Sequence, residues 1–263
     1  MQKAKSSLHS LLPTIEHRHS DQSPWDEIPL GQGVNGEIAW KVADAPNMLV
    51  SGASGAGKSV LQRNIALHCI QHPDKWQLLG IDPKQVELSG YAKHDDAVLG
   101  IATNLSESVS VLQSANEQMV SRYTKMEQEG VSSFLDLSNP PPALMVMIDE
   151  IASLTLHSSN KDSDSQVGLN QVARTLLEAL ARLGQAAGVH LVVSTQRPDV
   201  KSVSDSFQDH FSLRYLVGHS KSSSSSSVLG TYSGTEIPSH IKGRGVISIN
   251  GNEEFIQGYF TEH

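Results

Sequence analysis

One cysteine, Cys69, stands in the whole chain of 263 residues, so neither an intramolecular disulfide nor a cysteine-rich zinc site is available. Its place in a helix-patterned stretch reads as a packed core thiol rather than a nucleophile. Long apolar runs are missing as well. Apolar residues make up 38% and aromatics 5%, with no run near the ~18 residues of a membrane-crossing helix, which argues against a transmembrane span. Residues 1–10 hold two lysines and no long apolar core, which argues against a secretory signal and for a cytoplasmic protein. Excess positive charge is absent too: the formal net charge is −8, which speaks against a protein that coats nucleic acid over its whole surface. A narrow basic channel stays compatible with that total, because the distribution of charge matters more than its sum. Histidines are scattered; His17 and His19 form the one close pair, in a polar stretch that reads as surface.

What is present is a complete G-x-x-x-x-G-K-[ST] run, Gly52-Ala53-Ser54-Gly55-Ala56-Gly57-Lys58-Ser59. An apolar run, Met48-Leu49-Val50, precedes it and a helix-patterned stretch, Val60 to Ile70, follows. That strand–loop–helix setting is what a phosphate loop needs. The glycines let backbone N–H groups wrap a polyphosphate, and the helix N-terminus adds positive partial charge. Lys58 would reach the β- and γ-phosphates, and the Ser59 hydroxyl would take a place on Mg²⁺. The chain is expected to bind a nucleoside triphosphate.

Residues 1–26 are polar and read as a flexible arm, and residues 27–263 as one ordered domain. Ile28 to Trp40 predicts a β-hairpin, and Asn47–Ser51 the first core strand. A helix is expected from Lys58 to about His72, stopped by Pro73. Buried-type strands are expected at Trp76–Asp82, Ala143–Ile148 and Val189–Thr195. Helical spacing of Val109, Leu112, Met119, Tyr123 and Met126 predicts a helix over 104–129 ended by Gly130. Residues 157–167 form a polar break before an amphipathic helix from about Val167 to Ala187. Ser222–Ser227 is a low-complexity patch, and strands are expected near 211–217, 245–249 and 254–260. Alternating strands and helices predict an α/β fold with a mostly parallel sheet flanked by helices.

The apolar strand Ala143–Ile148 runs into Asp149-Glu150. An aspartate at the carboxyl end of such a strand suits a Mg²⁺ partner, and the glutamate beside it suits the group that orients or deprotonates the attacking water. Gln196 ends the strand Val189–Thr195, where a polar side chain can sense a γ-phosphate.

The order of motifs also carries a resemblance. Lys58-Ser59-Val60, Ile81-Asp82-Pro83-Lys84-Gln85-Val86-Glu87-Leu88, Met147-Ile148-Asp149-Glu150 and Ala186-Ala187-Gly188-Val189-His190-Leu191 leading into Ser194-Thr195-Gln196-Arg197-Pro198 together resemble the FtsK/SpoIIIE family of DNA-translocating ATPases. Ile28-Pro29-Leu30-Gly31…Gly36 resembles the family's lead-in strand, and the similarity runs from about residue 28 to about 250. The resemblance implies a RecA-like motor domain, a homo-hexameric ring around double-stranded DNA, and ATP bound between subunits. It also implies two arginines for a neighbour's γ-phosphate: Arg122 in Ser121-Arg122-Tyr123, and Arg244 in Gly243-Arg244-Gly245.

The chain departs from the family where Asp-Ser-Arg-Thr-Ile-Leu is often found: serines run into Val228-Leu229, and the arginine is missing. Neither an N-terminal membrane region nor a C-terminal winged helix is seen, so the chain is expected to be a bare motor. Lys161, Lys201 and Arg214 are the candidates for phosphate contacts in a bore. The favoured function is an ATP-driven DNA translocase of a mobile element, in plasmid or conjugative transfer or viral genome packaging, with a membrane or capsid/portal partner. The alternatives are an ATPase powering protein secretion and a degenerate nucleotide-binding scaffold.

Overall fold

In the computed structural model, the apolar run 143–148 forms a strand with all six residues buried, as a strand covered on both faces requires. Residues 12–14, 16–17, 23–155, 164–196 and 205–261 are described. In chain order the strands and helices are β1 (Glu16–His17), β2 (Glu27–Gly33), β3 (Gly36–Lys41), β4 (Met48–Ser51), α1 (Lys58–Gln71), β5 (Trp76–Ile81), β6 (Val98–Ala102), α2 (Leu105–Glu129) and β7 (Ala143–Ile148). They continue with α3 (Ala152–Thr155), α4 (Asp164–Leu183), β8 (Val189–Thr195), α5 (Asp205–Gln208), β9 (Leu213–Val217), α6 (Ser222–Leu229), β10 (Arg244–Ile249) and β11 (Asn252–Phe260). Two compact units divide the chain: residues 1–68, 194–201 and 211–263 form unit 1, and residues 69–193 and 202–210 form unit 2.

Unit 2 has the strand order β8-β7-β5-β6, every neighbouring pair parallel. Helix α2 starts at Asn104, whose side chain accepts from the Glu107 N–H at 3.0 Å, while the Glu107 carboxylate accepts from Thr103 at 2.8 Å. Such reciprocal capping satisfies N–H groups a helix start leaves open. The buried positions of α2 include Leu112, Ala115, Met119, Arg122 and Met126, alternating three and four residues apart, so one stripe faces the core. After α4 a short 3-10 helix, Gln185–Ala187, completes the stretch expected to be helical to Ala187. β6 was not expected: it is short, holds Gly100 at its centre and leaves Leu99 exposed.

Unit 1 has the order β3-β2-β11-β10-β9-β4; β4 and β9 run parallel, and the other neighbours antiparallel. The expected hairpin is β2–β3. Part of the polar arm has regular structure here: β1 pairs parallel with Tyr259 and Phe260 of β11, and Leu12 is buried. The physical reason is an apolar anchor that packs with Ile237, Val246 and Phe255. The serine run is also ordered. Ser222–Leu229 is helical because the Ser225 hydroxyl donates to the Thr231 carbonyl at 2.8 Å and accepts from the Gly234 N–H at 3.0 Å, with Val228 fully buried. Among the described residues no helix is long and apolar enough to cross a membrane.

Candidate nucleotide site

The phosphate loop, Gln196 and Arg244 belong to unit 1, whereas Asp149, Glu150 and Arg122 belong to unit 2.

In unit 1 the loop leaves β4 after Ser51 and enters α1 at Lys58. Two glycines are required by close approach. A side chain at Gly52 would stand 2.3 Å from the Val217 carbonyl oxygen, and one at Gly57, where φ is +121°, would stand 3.0 Å from the Gly243 Cα. Gly243 in turn donates its N–H to the Ala56 carbonyl at 2.8 Å. The end of β9 and the turn before β10 thus form a floor under the loop. Lys58 is buried, and its ammonium donates to the carbonyls of Gly52 at 2.6 Å and Ala53 at 3.2 Å, which hold the cation across the loop. Residues 53–55 are exposed and Ser59 is half-buried on the first turn of α1, so the loop presents its rim to solvent at a helix N-terminus. Gln196, just past β8, is exposed, while Ser194 behind it is buried and accepts from the Gln62 side chain at 3.3 Å.

In unit 2 Asp149 follows β7 with its N–H donated to the Ile81 carbonyl at 3.0 Å. Its side chain is 8% exposed and lies 3.5 Å from the Lys84 ammonium. Burial pushes the Asp149 carboxyl up to about 6; Lys84 opposes this, while Asp82, Glu87 and Glu150 add to it. Sequence reasoning quoted Lys84 and Asp82 only as motif letters, and their roles were missed. Asp82 is fully buried and its Oδ2 accepts from the N–H groups of Glu87 and Leu88, both at 2.9 Å, and of Ser89 at 3.2 Å. Burial alone would raise Asp82, but these backbone donors outweigh it and hold the carboxyl below its ordinary value. Asp82 therefore shapes the loop that carries Lys84 to Asp149. A carboxylate followed by a run of loop residues on a buried strand end was the available signal.

Each of the two donors, Ser59 in unit 1 and Asp149 in unit 2, suits Mg²⁺ by its own chemistry. A hydroxyl and a carboxylate are hard oxygen ligands, and the excess negative charge around Asp149 favours a divalent cation. Among the described residues no group of three or more His, Cys, Asp or Glu is placed to hold a metal alone. Mg²⁺ characteristically completes its shell with substrate phosphates and water instead.

The raised carboxyl has a measurable consequence. A folded value of about 6, above the ordinary 3.8, means the folded state binds this proton more tightly, so stability falls as pH rises through that window. Asp149→Asn removes the burden, and the variant is expected to exceed the wild type by up to about 3 kcal/mol above pH ~6, the difference fading toward pH ~4. Urea denaturation of both proteins at about pH 5 and about pH 8 checks this; a difference that shrinks at the higher pH contradicts it.

Both arginines are buried in their own units. Arg122 is 4% exposed, and its guanidinium donates to the carbonyls of Ala187 at 2.9 Å, Gly188 at 3.1 Å and Pro142 at 2.8 Å. It also lies 5.8 Å from the Phe134 ring centroid, and burial lowers it to about 10, still charged at neutral pH. It clamps chain segments of its own unit. Arg244 is 1% exposed and donates to Gln257 Oε1 at 3.2 Å and to the carbonyls of Leu12 and Pro13. It too is internal. Arg214 is half-buried and donates to the carbonyls of Phe211 and Val228, both at 3.1 Å. Lys161, Lys201 and the polar break up to residue 163 lie outside the described residues.

Comparison with known proteins matches this chain, over residues 15–139 and 135–200, to the model of the FtsK/SpoIIIE family. A protein named DNA translocase FtsK from Streptococcus pyogenes serotype M3 (strain SSI-1) is 31% identical over 219 residues, covering 74% of this chain and 26% of that protein. Another of the same name, from Lactococcus lactis subsp. cremoris (strain MG1363), is 29% identical over 222 residues, covering 78% and 28%. The chain thus spans about a quarter of the length of the curated relatives it matches. Among solved structures, the pCW3 conjugation coupling protein TcpA, in a monomer form with ATPγS, superposes with a TM-score of 0.87 at 19% identity, covering 97% of this chain and 72% of that one. EssC (ATPases 2 and 3) from Geobacillus thermodenitrificans gives 0.75 at 17% identity, covering 95% and 47%. These likenesses show the fold, an α/β P-loop ATPase fold. With the complete phosphate loop, the acidic strand end and the matched family model, the chain belongs to the FtsK/SpoIIIE family.

Proposed function

We propose that this chain is an ATP-hydrolysing motor that moves double-stranded DNA, with residues 27–263 as the motor domain. The carrying observation is the formed phosphate loop, floored by Val217 and Gly243 and with Lys58 held across it. Family membership, and the name DNA translocase carried by its relatives, support DNA as the substrate. In this reading Gly52 to Ser59 bind the triphosphate, Ser59 and Asp149 hold Mg²⁺, Glu150 orients or deprotonates water, and Gln196 senses the γ-phosphate. Bound Mg²⁺ supplies charge neutralisation on the phosphates. The working form is a homo-hexameric ring, and the setting is DNA transfer by a mobile element.

The test is ATP turnover with and without long double-stranded DNA, across salt concentration. The expected result is strong stimulation that falls steeply between ~50 and ~200 mM salt, as phosphate contacts dictate. Turnover indifferent to DNA would move the reading to transport of protein.

A further inference from the structure

Two features of unit 1 meet at Arg244: the ordered part of the arm and the floor of the phosphate loop. On the outer side, Leu12 sits 6% exposed in the cluster of Ile237, Val246 and Phe255. The next residues present two successive carbonyls to one guanidinium nitrogen, Arg244 Nη2: Leu12 at 3.1 Å, and Pro13. Residues 16–17 then continue as a strand beside β11. On the inner side, Arg244 is part of the turn 242–244, which is fixed from several directions. Gln257 accepts from Arg244 Nε and donates to the Lys242 carbonyl at 3.0 Å. The Tyr215 hydroxyl donates to the Gly243 carbonyl at 3.3 Å, and the Gly218 N–H donates to the Arg244 carbonyl at 2.6 Å. The same turn donates the Gly243 N–H to Ala56 inside the phosphate loop.

The physical argument concerns a buried cation. A guanidinium that is 1% exposed needs acceptors, and the arm supplies two carbonyls. Undocking residues 12–13 removes two of its acceptors, which favours movement of the side chain toward solvent or other oxygens. Its backbone is the turn that underlies Ala56 and Gly57, so close that a Cβ on Gly57 would stand only 3.0 Å from the Gly243 Cα. A shift of the turn is therefore a shift of the loop.

We propose that residues 12–14 and 16–17 form a strap that positions the phosphate loop through Arg244, so that docking of the strap and binding of nucleotide favour each other. The inference rests on the reading of residues 52–59 as a nucleotide site. Arg244 is then a positioning residue, and the arm is a regulatory element of the same chain: whatever captures the strap weakens nucleotide binding. By linkage, nucleotide must also hold the strap down.

The test uses the full chain and a fluorescent ATP analogue, well below the melting temperature. Leu12→Asp unseats the strap, and Arg244→Lys keeps the charge but loses the fork. Each is expected to weaken binding about 5- to 20-fold, and the double variant no more than the worse single one, because both break one path. Hydrogen exchange of the strap in the wild type is expected to slow on adding ATPγS, a response that a merely structural contact does not give. If Leu12→Asp does not fold, Leu12→Ala carries the same comparison. Wild-type affinity in both single variants, or full additivity in the double, overturns the strap. Lys58→Ala is the control that loses binding; a wild type without nucleotide affinity would overturn the nucleotide site itself, and the strap with it.

Discussion

Glu150→Gln is expected to bind ATP as the wild type does and to hydrolyse it about 10²–10⁴-fold more slowly. The amide has the size of the carboxylate but cannot accept the proton of an attacking water. The backbone at this position is set by other groups and should not move: the Glu150 carbonyl accepts from the Ser153 N–H at 3.1 Å and from its hydroxyl at 2.6 Å, which starts α3. Lys58→Ala should behave differently and lose affinity as well as turnover, because its ammonium is part of the loop that meets the phosphates. Single-turnover hydrolysis beside equilibrium binding separates the two. Turnover of Glu150→Gln within about threefold of the wild type would remove Glu150 from the role of base, since such a group contributes at least ~10²-fold.

Arg122→Ala is expected to destabilise the protein by about 3–5 kcal/mol, a shift on the order of 10 °C in melting temperature. The carbonyls of Pro142 and Ala187 lose the guanidinium at once, and Gly188 keeps only the Leu144 N–H at 2.8 Å; these residues flank β7 and β8. Each buried acceptor left open costs about 1–3 kcal/mol, so partial relaxation still leaves a large loss. Arg122→Lys should recover part of it, since one ammonium cannot match the spread of a guanidinium. Thermal melts measure this directly. A mixing experiment adds a second arm: if Arg122 acted on a neighbour's nucleotide, Lys58→Ala subunits would restore turnover to Arg122→Ala subunits. The internal clamp predicts no restoration.

The core strands were legible because their composition allows little else. Ala143–Ile148 is six apolar residues bounded by proline and by Asp149-Glu150, and it is buried throughout. The phosphate loop was legible because its glycines have structural reasons: Gly52 meets the Val217 carbonyl, and Gly57, at φ +121°, faces Gly243. Arginine was harder, since its ordinary place is at the surface. Yet the spacing held the clue: Arg122 follows Met119 by three residues and precedes Met126 by four, which puts it on the apolar stripe of α2. Arg244 gave no such sign, because its partners lie on other elements, at Gln257 of β11 and at Leu12 and Pro13, 232 and 231 residues away. The serine helix was illegible for a related reason. Serine is a modest helix former, and what fixes α6 is the tertiary pairing of Ser225 with Thr231 and Gly234 and the burial of Val228.

The discontinuity of unit 1 has a bearing on how the chain comes off the ribosome. Unit 2 is nearly one unbroken stretch, whereas β4 finds its parallel neighbour β9 only after all of residues 69–193 have been made. The phosphate loop is synthesised early, but Val217, Gly218 and Gly243, against which it is shaped, come much later. Pairings so far apart in sequence form slowly and last. A nascent or truncated chain would thus display an intact Gly52–Ser59 motif without a loop able to grip a nucleotide, and only copies translated through β10 would become competent.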